Sequence, residues 1–382
     1  MDVFIVCNVD IPQICALEVK ELIGKDSEVF SGVCIVSNVS SKDLAILAYK
    51  CQSAYRIGVL LAKDKTIDDL ESNFSKIVDK KSWNTFSKEA STFAVDTIKM
   101  SEQIIPSPDI SALFGGVIKD FTKKENKDLD VKLTSPDLSC LVFITKDLCG
   151  IGIDIIGFDL SKRPYKLFHH PSSLNGVFAY TISRFVGIKK DSLVLDPFCG
   201  NGVIPIEIAL FQQGISSFIF ERQFSGLKYI FTKKDFEEVE YSLKEIKPST
   251  KQIYAFDEQL KIMLGAKKNA KIAGVLDALE CSKVSVDWLD AKFEKDVVDV
   301  IISNPPKESN RLGNSSKIIK LYDELFYQAR FVLKKEGTMA LLVLKPDPVL
   351  ELAKKHKFEI IANQATHSGK QMYFLVVCKR KA

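Results

Sequence analysis

The stretch LVLDPFCGNGVIPIEIALF (193–211) constrains the fold of this chain more than any other. A short β-branched run ends on an acid, turns through Gly200-Asn201-Gly202 and enters an apolar helical pattern. A strand, glycine turn and helix in that order belong to a parallel sheet, whose neighbouring strands must be joined by crossover helices. The pattern recurs. Strand QIYAF (252–256) leads into helix EQLKIMLGAKKNAKIAG, strand KVSV (283–286) follows, and VVDVIIS (297–303) runs through NPPKES to helix KLYDELFYQARFVL (320–333). Strands TMALLVL (338–344) and QMYFLVVCK (371–379) end the series. Residues 173–382 therefore predict one doubly wound, Rossmann-like α/β domain. A charged insertion at 218–248 interrupts the alternation and is expected to be helical.

The front half follows another plan. Strand 2–7, helix 12–23, strands over 28–36, helix 42–50 and strand 53–62 predict a small ferredoxin-like α+β domain over 1–62. Residues 63–160 then predict a helix at 66–77, a strand at 92–98, a helix at 110–124 and strands at 138–144 and 150–156. SKRPYKLFHHPSS (161–173), with two prolines and no periodicity, is expected to link the two halves, with a linker over 161–172.

A chain of 382 residues exceeds what one core serves, in keeping with several domains. No run of 18 uncharged apolar residues occurs, and the N-terminus lacks a basic region and a cleavage site, so neither a membrane span nor a signal peptide is expected. The nine cysteines are odd in number, never in a C-x-x-C pair and mostly inside apolar runs. They read as buried hydrophobes in a reducing cytoplasm, and with four histidines no metal site is expected. The net charge of +4 is small, but residues 301–382 carry 15 Lys+Arg against 7 Asp+Glu. A second basic cluster comprises Lys162, Arg163, Lys166, His169 and His170. Such clusters suit phosphate contacts or simply a solvated face.

Four features carry chemistry. Glycines at 200 and 202 permit close approach of a ligand to a helix N-terminus, beyond the carboxyl end of a strand. A plain tight turn or a nicotinamide site would also account for them. Asp257, ending the next strand, suits a ribose diol, or alternatively an N-cap. Asp287 could accept from an adenine amino group, with Trp288 covering the ring, although Trp288 by itself predicts core packing. Asn304-Pro305-Pro306 follows a buried strand, and two prolines fix an extended exit. The Asn304 amide oxygen and the Pro305 carbonyl then converge as two acceptors. An amino group on an aromatic base is a poor nucleophile, and two acceptors on its hydrogens would localise its lone pair and aim it at a methyl group.

DPFCGNGVIPIEIAL, FDEQLKIMLGAKKNAKIAGV and IISNPP resemble the catalytic half of THUMP-domain RNA guanine-N2 methyltransferases. STFAVDTIKM, SPDISALFGGVIKDF, VKLTSPDLSCLVFI, GFDLSKRPYK and HHPSSLNG follow that family's order in the front half, and the insertion FIFERQFSGLKYIF resembles its counterpart. Nearest are the archaeal enzymes that form N2-methylguanosine at position six of tRNA, in the acceptor stem. The resemblance implies a ferredoxin-like domain at 1–62, a THUMP domain at 63–160 gripping the acceptor end of tRNA, and a methyltransferase domain using S-adenosylmethionine. It implies a cytoplasmic monomer acting on tRNA. It places Asn175, Asp196, Pro197, Phe198, Gly200, Asn201, Gly202, Asp257, Asp287 and Trp288 around the cofactor. Asn304, Pro305 and Pro306 would receive the target amino group, and Lys162, Arg163, Lys166, Lys307 and Arg311 would meet the substrate. His170 to Asn175 resembles a segment that closes over the cofactor. One departure stands out: the family has an aromatic residue and then glycine after Asn-Pro-Pro, whereas Lys307 and Glu308 follow here. The aromatic would stack on a flipped base. Gln259 departs too, since relatives often carry an acid there. An RNA-binding protein with a non-catalytic methyltransferase domain is the alternative. A DNA or protein amino-methyltransferase and a nicotinamide dehydrogenase leave the front half unexplained.

Overall fold

The computed structural model describes residues 1–101, 105–169, 173–218, 224–243, 252–307 and 315–381. The chain forms two compact units, Met1–Ser161 with Phe218–Glu245, and Lys162–Ser217 with Ile246–Ala382.

The first unit is built on one eight-stranded sheet. Its strands are β1 (Val3–Val6), β2 (Glu28–Phe30), β3 (Val33–Val36), β4 (Arg56–Asp64), β5 (Thr92–Lys99), β6 (Asp130–Val131), β7 (Leu138–Ile144) and β8 (Cys149–Asp154), in the order β2-β3-β1-β4-β8-β7-β5-β6. The ladder between β4 and β8, from Gly58↔Asp154 to Asp64↔Cys149, joins the N-terminal strands to those that follow. At that junction Arg56 pairs with the buried Asp154 at 3.0 Å. The insertion forms a helix, Ile230–Leu243, and clusters with this unit rather than with the sheet it interrupts. Phe224 and Phe236 lie 4.9 and 5.9 Å from Tyr49, so aromatic burial holds the excursion.

Among the described residues the second unit has seven strands: β9 (Val194–Asp196), β10 (Ile253–Asp257), β11 (Leu279–Lys283), β12 (Val298–Ser303), β13 (Leu333–Val343), β14 (Phe358–Ser368) and β15 (Gln371–Arg380). The order is β11-β10-β9-β12-β13-β15-β14, parallel from β11 to β13, with β15 antiparallel to both its neighbours. Apolar clusters cover both faces, as a parallel sheet requires. The chain winds outward from β9 through β10 to β11, then returns to start β12 on the other side of β9. Their carboxyl ends flank a topological switch point, the usual crevice for a ligand.

Three expectations need correction. KVSV is not the third strand; β11 ends at Lys283, in register from Ile253↔Leu279 to Asp257↔Lys283. Val284 and Val286 are buried beyond the strand, where they pack under Leu289. β13 begins at Leu333, not at 338. Residues 345–370, unassigned from sequence, form helix Asp347–Lys355 and edge strand β14, whose half-exposed faces blur the alternation.

Candidate active site

The glycine turn occupies one side of the switch point. Gly200 and Gly202 have φ of 55° and 84°, so both need a residue without a side chain. A Cβ on Gly202 would lie 3.2 Å from Ala266 Cβ. Gly202 also supplies no side-chain cap to helix Val203–Gln213, which leaves the leading N–H groups of the helix without a side-chain partner. The Gly200 N–H donates to Asp257 Oδ2 at 3.2 Å, and the Gln259 N–H donates to Asp257 Oδ1 at 2.9 Å. Asp257 thus stands half-buried at the end of β10, tied to the glycine turn.

Asp196 is tied to both strand ends. It is 1% exposed, and its Oδ1 accepts from the Phe198 N–H at 3.1 Å and from the Ser303 hydroxyl at 2.5 Å. Burial pushes its carboxyl up to about 7 against the pull of those donors. Asp196 therefore braces the end of β9 against the end of β12, one residue before Asn304. Pro197 is buried beside it and Phe198 is half-buried.

Behind the turn, Asn201 and Asn269 hold the segment that precedes the first helix. Asn201 Nδ2 donates to the Phe168 carbonyl at 3.1 Å. Asn269, fully buried, donates to that carbonyl and to the Asn201 carbonyl, both at 3.0 Å, and accepts from the Phe168 N–H. Asn175 caps helix Gly176–Phe185 through the Phe178 N–H at 2.8 Å and donates to Ser368 Oγ at 3.3 Å. His170, Pro171 and Ser172 lie outside the described residues, as do Glu308 and Arg311.

Asn304, Pro305 and Pro306 leave β12 on the other side of the switch point. The Tyr322 hydroxyl donates to the Pro306 carbonyl at 2.7 Å, fixing the loop from helix Ser315–Val332. The two expected acceptors are not open. The Lys307 ammonium donates to Asn304 Oδ1 and, at 3.4 Å, to the Pro305 carbonyl. It also lies 5.3 Å from the centre of the Tyr373 ring. Burial lowers this ammonium to about 8. A cavity of about 160 Å³ adjoins Lys307, lined by Ile318, Tyr322, Val343, Leu344 and Pro348 among others.

The remaining candidates divide. Asp287 and Trp288 stand past the carboxyl end of β11, and Trp288 is 64% exposed, so core packing is excluded for it. Lys162 is exposed, as a residue meeting a polyanion must be. Lys166 is half-buried and donates to the Leu174 carbonyl at 2.7 Å. Arg163 does not face solvent. Its side chain is fully buried and donates to both oxygens of Glu207, at 2.8 and 3.0 Å, while the Tyr165 hydroxyl donates to the same carboxylate. It is a strut within the domain, not a contact for substrate. Ser303, Tyr322, Asn269 and Tyr373 were missed, because nothing local marks a residue whose partner lies far along the chain.

Residues 163–373 match the RMKL-like methyltransferase domain, and residues 64–154 match the THUMP domain. The tRNA (guanine(6)-N2)-methyltransferase of Methanocaldococcus jannaschii is 30% identical over 372 residues, which span 94% of this chain and 95% of that protein. The chain belongs to the THUMP-domain RNA guanine-N2 methyltransferase family. Its methyl donor is S-adenosylmethionine. The Archaeoglobus fulgidus protein of the same name is 28% identical, the match covering 73% of this chain and 64% of that one. A possible methylase from Clostridium difficile has the same fold, with a TM-score of 0.80 at 22% identity over 100% of this chain and 98% of that one. In this chain the lysine after Asn-Pro-Pro engages the acceptor pair.

Proposed function

We propose that this enzyme methylates the N2 amino group of the guanosine at position six in the acceptor stem of tRNA. The name and extent of the Methanocaldococcus relative support the position. The chemistry rests on one observation: an amine of the protein sits between the Asn304 amide oxygen and the Pro305 carbonyl. The guanine amino group offers two hydrogens to the same two acceptors. Lys307 is a placeholder for it, displaced when the base enters.

The cofactor fits the opposite side. The helix N-terminus behind Gly202 suits a carboxylate, Asp257 a ribose diol, and Asp287 with Trp288 an adenine. When bound, S-adenosylmethionine supplies an electrophilic methyl group. The protein contributes positioning: Asp196 and Ser303 lock the two strand ends, Tyr322 holds Pro306, and Asn304 with Pro305 orients the amino group. Tyr373, already against Lys307, is a ring that could take the place of the family's aromatic. Lys162 remains a phosphate contact.

Asn304→Ala tests this reading. It removes one of two acceptors and leaves the Asp196–Ser303 and Tyr322–Pro306 braces in place. Loss of one preorganised hydrogen-bonding group at a reacting centre costs about 10²–10³ in rate. Methyl transfer to unmodified tRNA should fall by that factor, while calorimetry shows unchanged S-adenosylmethionine binding. Wild-type protein that binds tRNA but neither the cofactor nor a methyl group would favour the non-catalytic alternative, for which the occupied acceptor pair is the best argument.

A further inference from the structure

Four of the nine cysteines, Cys7, Cys15, Cys34 and Cys51, fall in the first 51 residues. No spacing among them suggests a metal site, and each reads as a small buried hydrophobe. Burial holds for all four, at 0–2% exposure. The fold adds what spacing lacks. Cys7 follows β1, Cys34 lies within β3, paired with Ile5 of β1, and Cys15 stands in the first turn of helix Gln13–Ile23. These three separate elements bring the sulfurs of Cys7, Cys15 and Cys34 to within 4.8 Å of one another. Cys51, just past helix Ser41–Lys50, stands outside that triad, and its thiol donates to Glu18 Oε2 at 3.2 Å.

A tetrahedral zinc ion with Zn–S bonds of about 2.3 Å spaces its sulfurs about 3.8 Å apart. The three sulfurs, all within 4.8 Å of one another, are at most about 1 Å wider than that spacing. Packing does not call for three thiols to converge, since alanine or valine fills such a site equally well. A disulfide would use two of the three, would strand the third, and would need an oxidant. Metal binding here would tie β1, β3 and helix Gln13–Ile23 together, so its free energy would act as folding free energy.

We infer that Cys7, Cys15 and Cys34 form a structural site for a thiolate-preferring divalent ion of the zinc class. This reverses the expectation of no metal and is independent of the methyltransferase site.

The test uses the full-length, reduced protein, unfolded with a chelator and refolded with added zinc. After gel filtration, elemental analysis should find one zinc per chain. Refolding with cobalt(II) should give the sulfur-to-cobalt charge-transfer absorption of a tetrahedral thiolate site. Cys34→Ala and Cys15→Ala should each lose both signals, while Cys140→Ala, on β7 of the same sheet, retains them. Wild type without zinc after refolding, or equal retention in Cys34→Ala, overturns the site. If the variants fail to fold, the cobalt spectrum of wild type decides: lack of thiolate charge transfer rejects it.

Discussion

Lys307→Met keeps an apolar stem of similar length and removes the ammonium. Charge-assisted hydrogen bonds are worth about 1.5–3 kcal/mol each, so two would hold the seat shut by roughly 3–6 kcal/mol if nothing opposed them. Burial does oppose them. It lowers the ammonium to about 8 from its ordinary 10.5, a displacement worth about 3 kcal/mol against the charged form. A surplus of about 0–3 kcal/mol, centred on about 1.5 kcal/mol, remains for the entering base to overcome. Removing it should raise kcat/KM for tRNA about tenfold near neutral pH, with a ceiling of roughly 150-fold. The pH dependence follows with a definite sign. A lysine depressed to about 8 loses its charge as pH rises through that value, and its hold on the two carbonyls weakens. Wild-type kcat/KM should therefore climb through about pH 8 and approach that of the methionine variant, which lacks this rise. Initial rates of methyl incorporation, with tRNA varied at several pH values, measure both effects. A methionine variant slower than wild type throughout, or one sharing the wild-type rise, refutes the placeholder.

Other substitutions probe the frame. Arg163→Met leaves Glu207 charged and buried without its bidentate partner, and should destabilise the catalytic unit by about 3–5 kcal/mol in denaturant titration; a loss near zero would reject the strut. Asp196 is raised by burial, so its carboxyl destabilises the fold increasingly as pH climbs from the ordinary carboxylate range through about 7. Asp196→Asn should be less pH-sensitive in its melting temperature over that window, and parallel curves for both proteins would contradict the sign. Asp257→Ala should weaken S-adenosylmethionine binding by about tenfold or more through loss of charge-assisted hydrogen bonds, read by calorimetry; unchanged affinity would remove it from the cofactor site.

Much of the site was legible along the chain because it is built from strand ends. A glycine turn, an acid closing a strand and a proline pair are local backbone signals, and the sheet collects them at one edge by its winding. That is how Gly202, Asp257 and Asn304 could be placed before any coordinates. Trp288 and Arg163 show the opposite. Residue type favoured burial for the tryptophan and exposure for the arginine, and the fold reversed both: Trp288 lies beyond the end of β11, whereas Glu207 on a buried helix face gives Arg163 a partner.

By itself, then, the sequence determined the α/β order of the catalytic unit, its glycine turn and its proline-stiffened exit, since each is written in neighbouring residues. Tertiary structure decided three things: that Lys307 occupies the acceptor pair, that the insertion packs with the first unit, and that Cys7, Cys15 and Cys34 meet. Contacts between residues far apart along the chain leave no periodic trace, because they depend on where several strands and helices end in space.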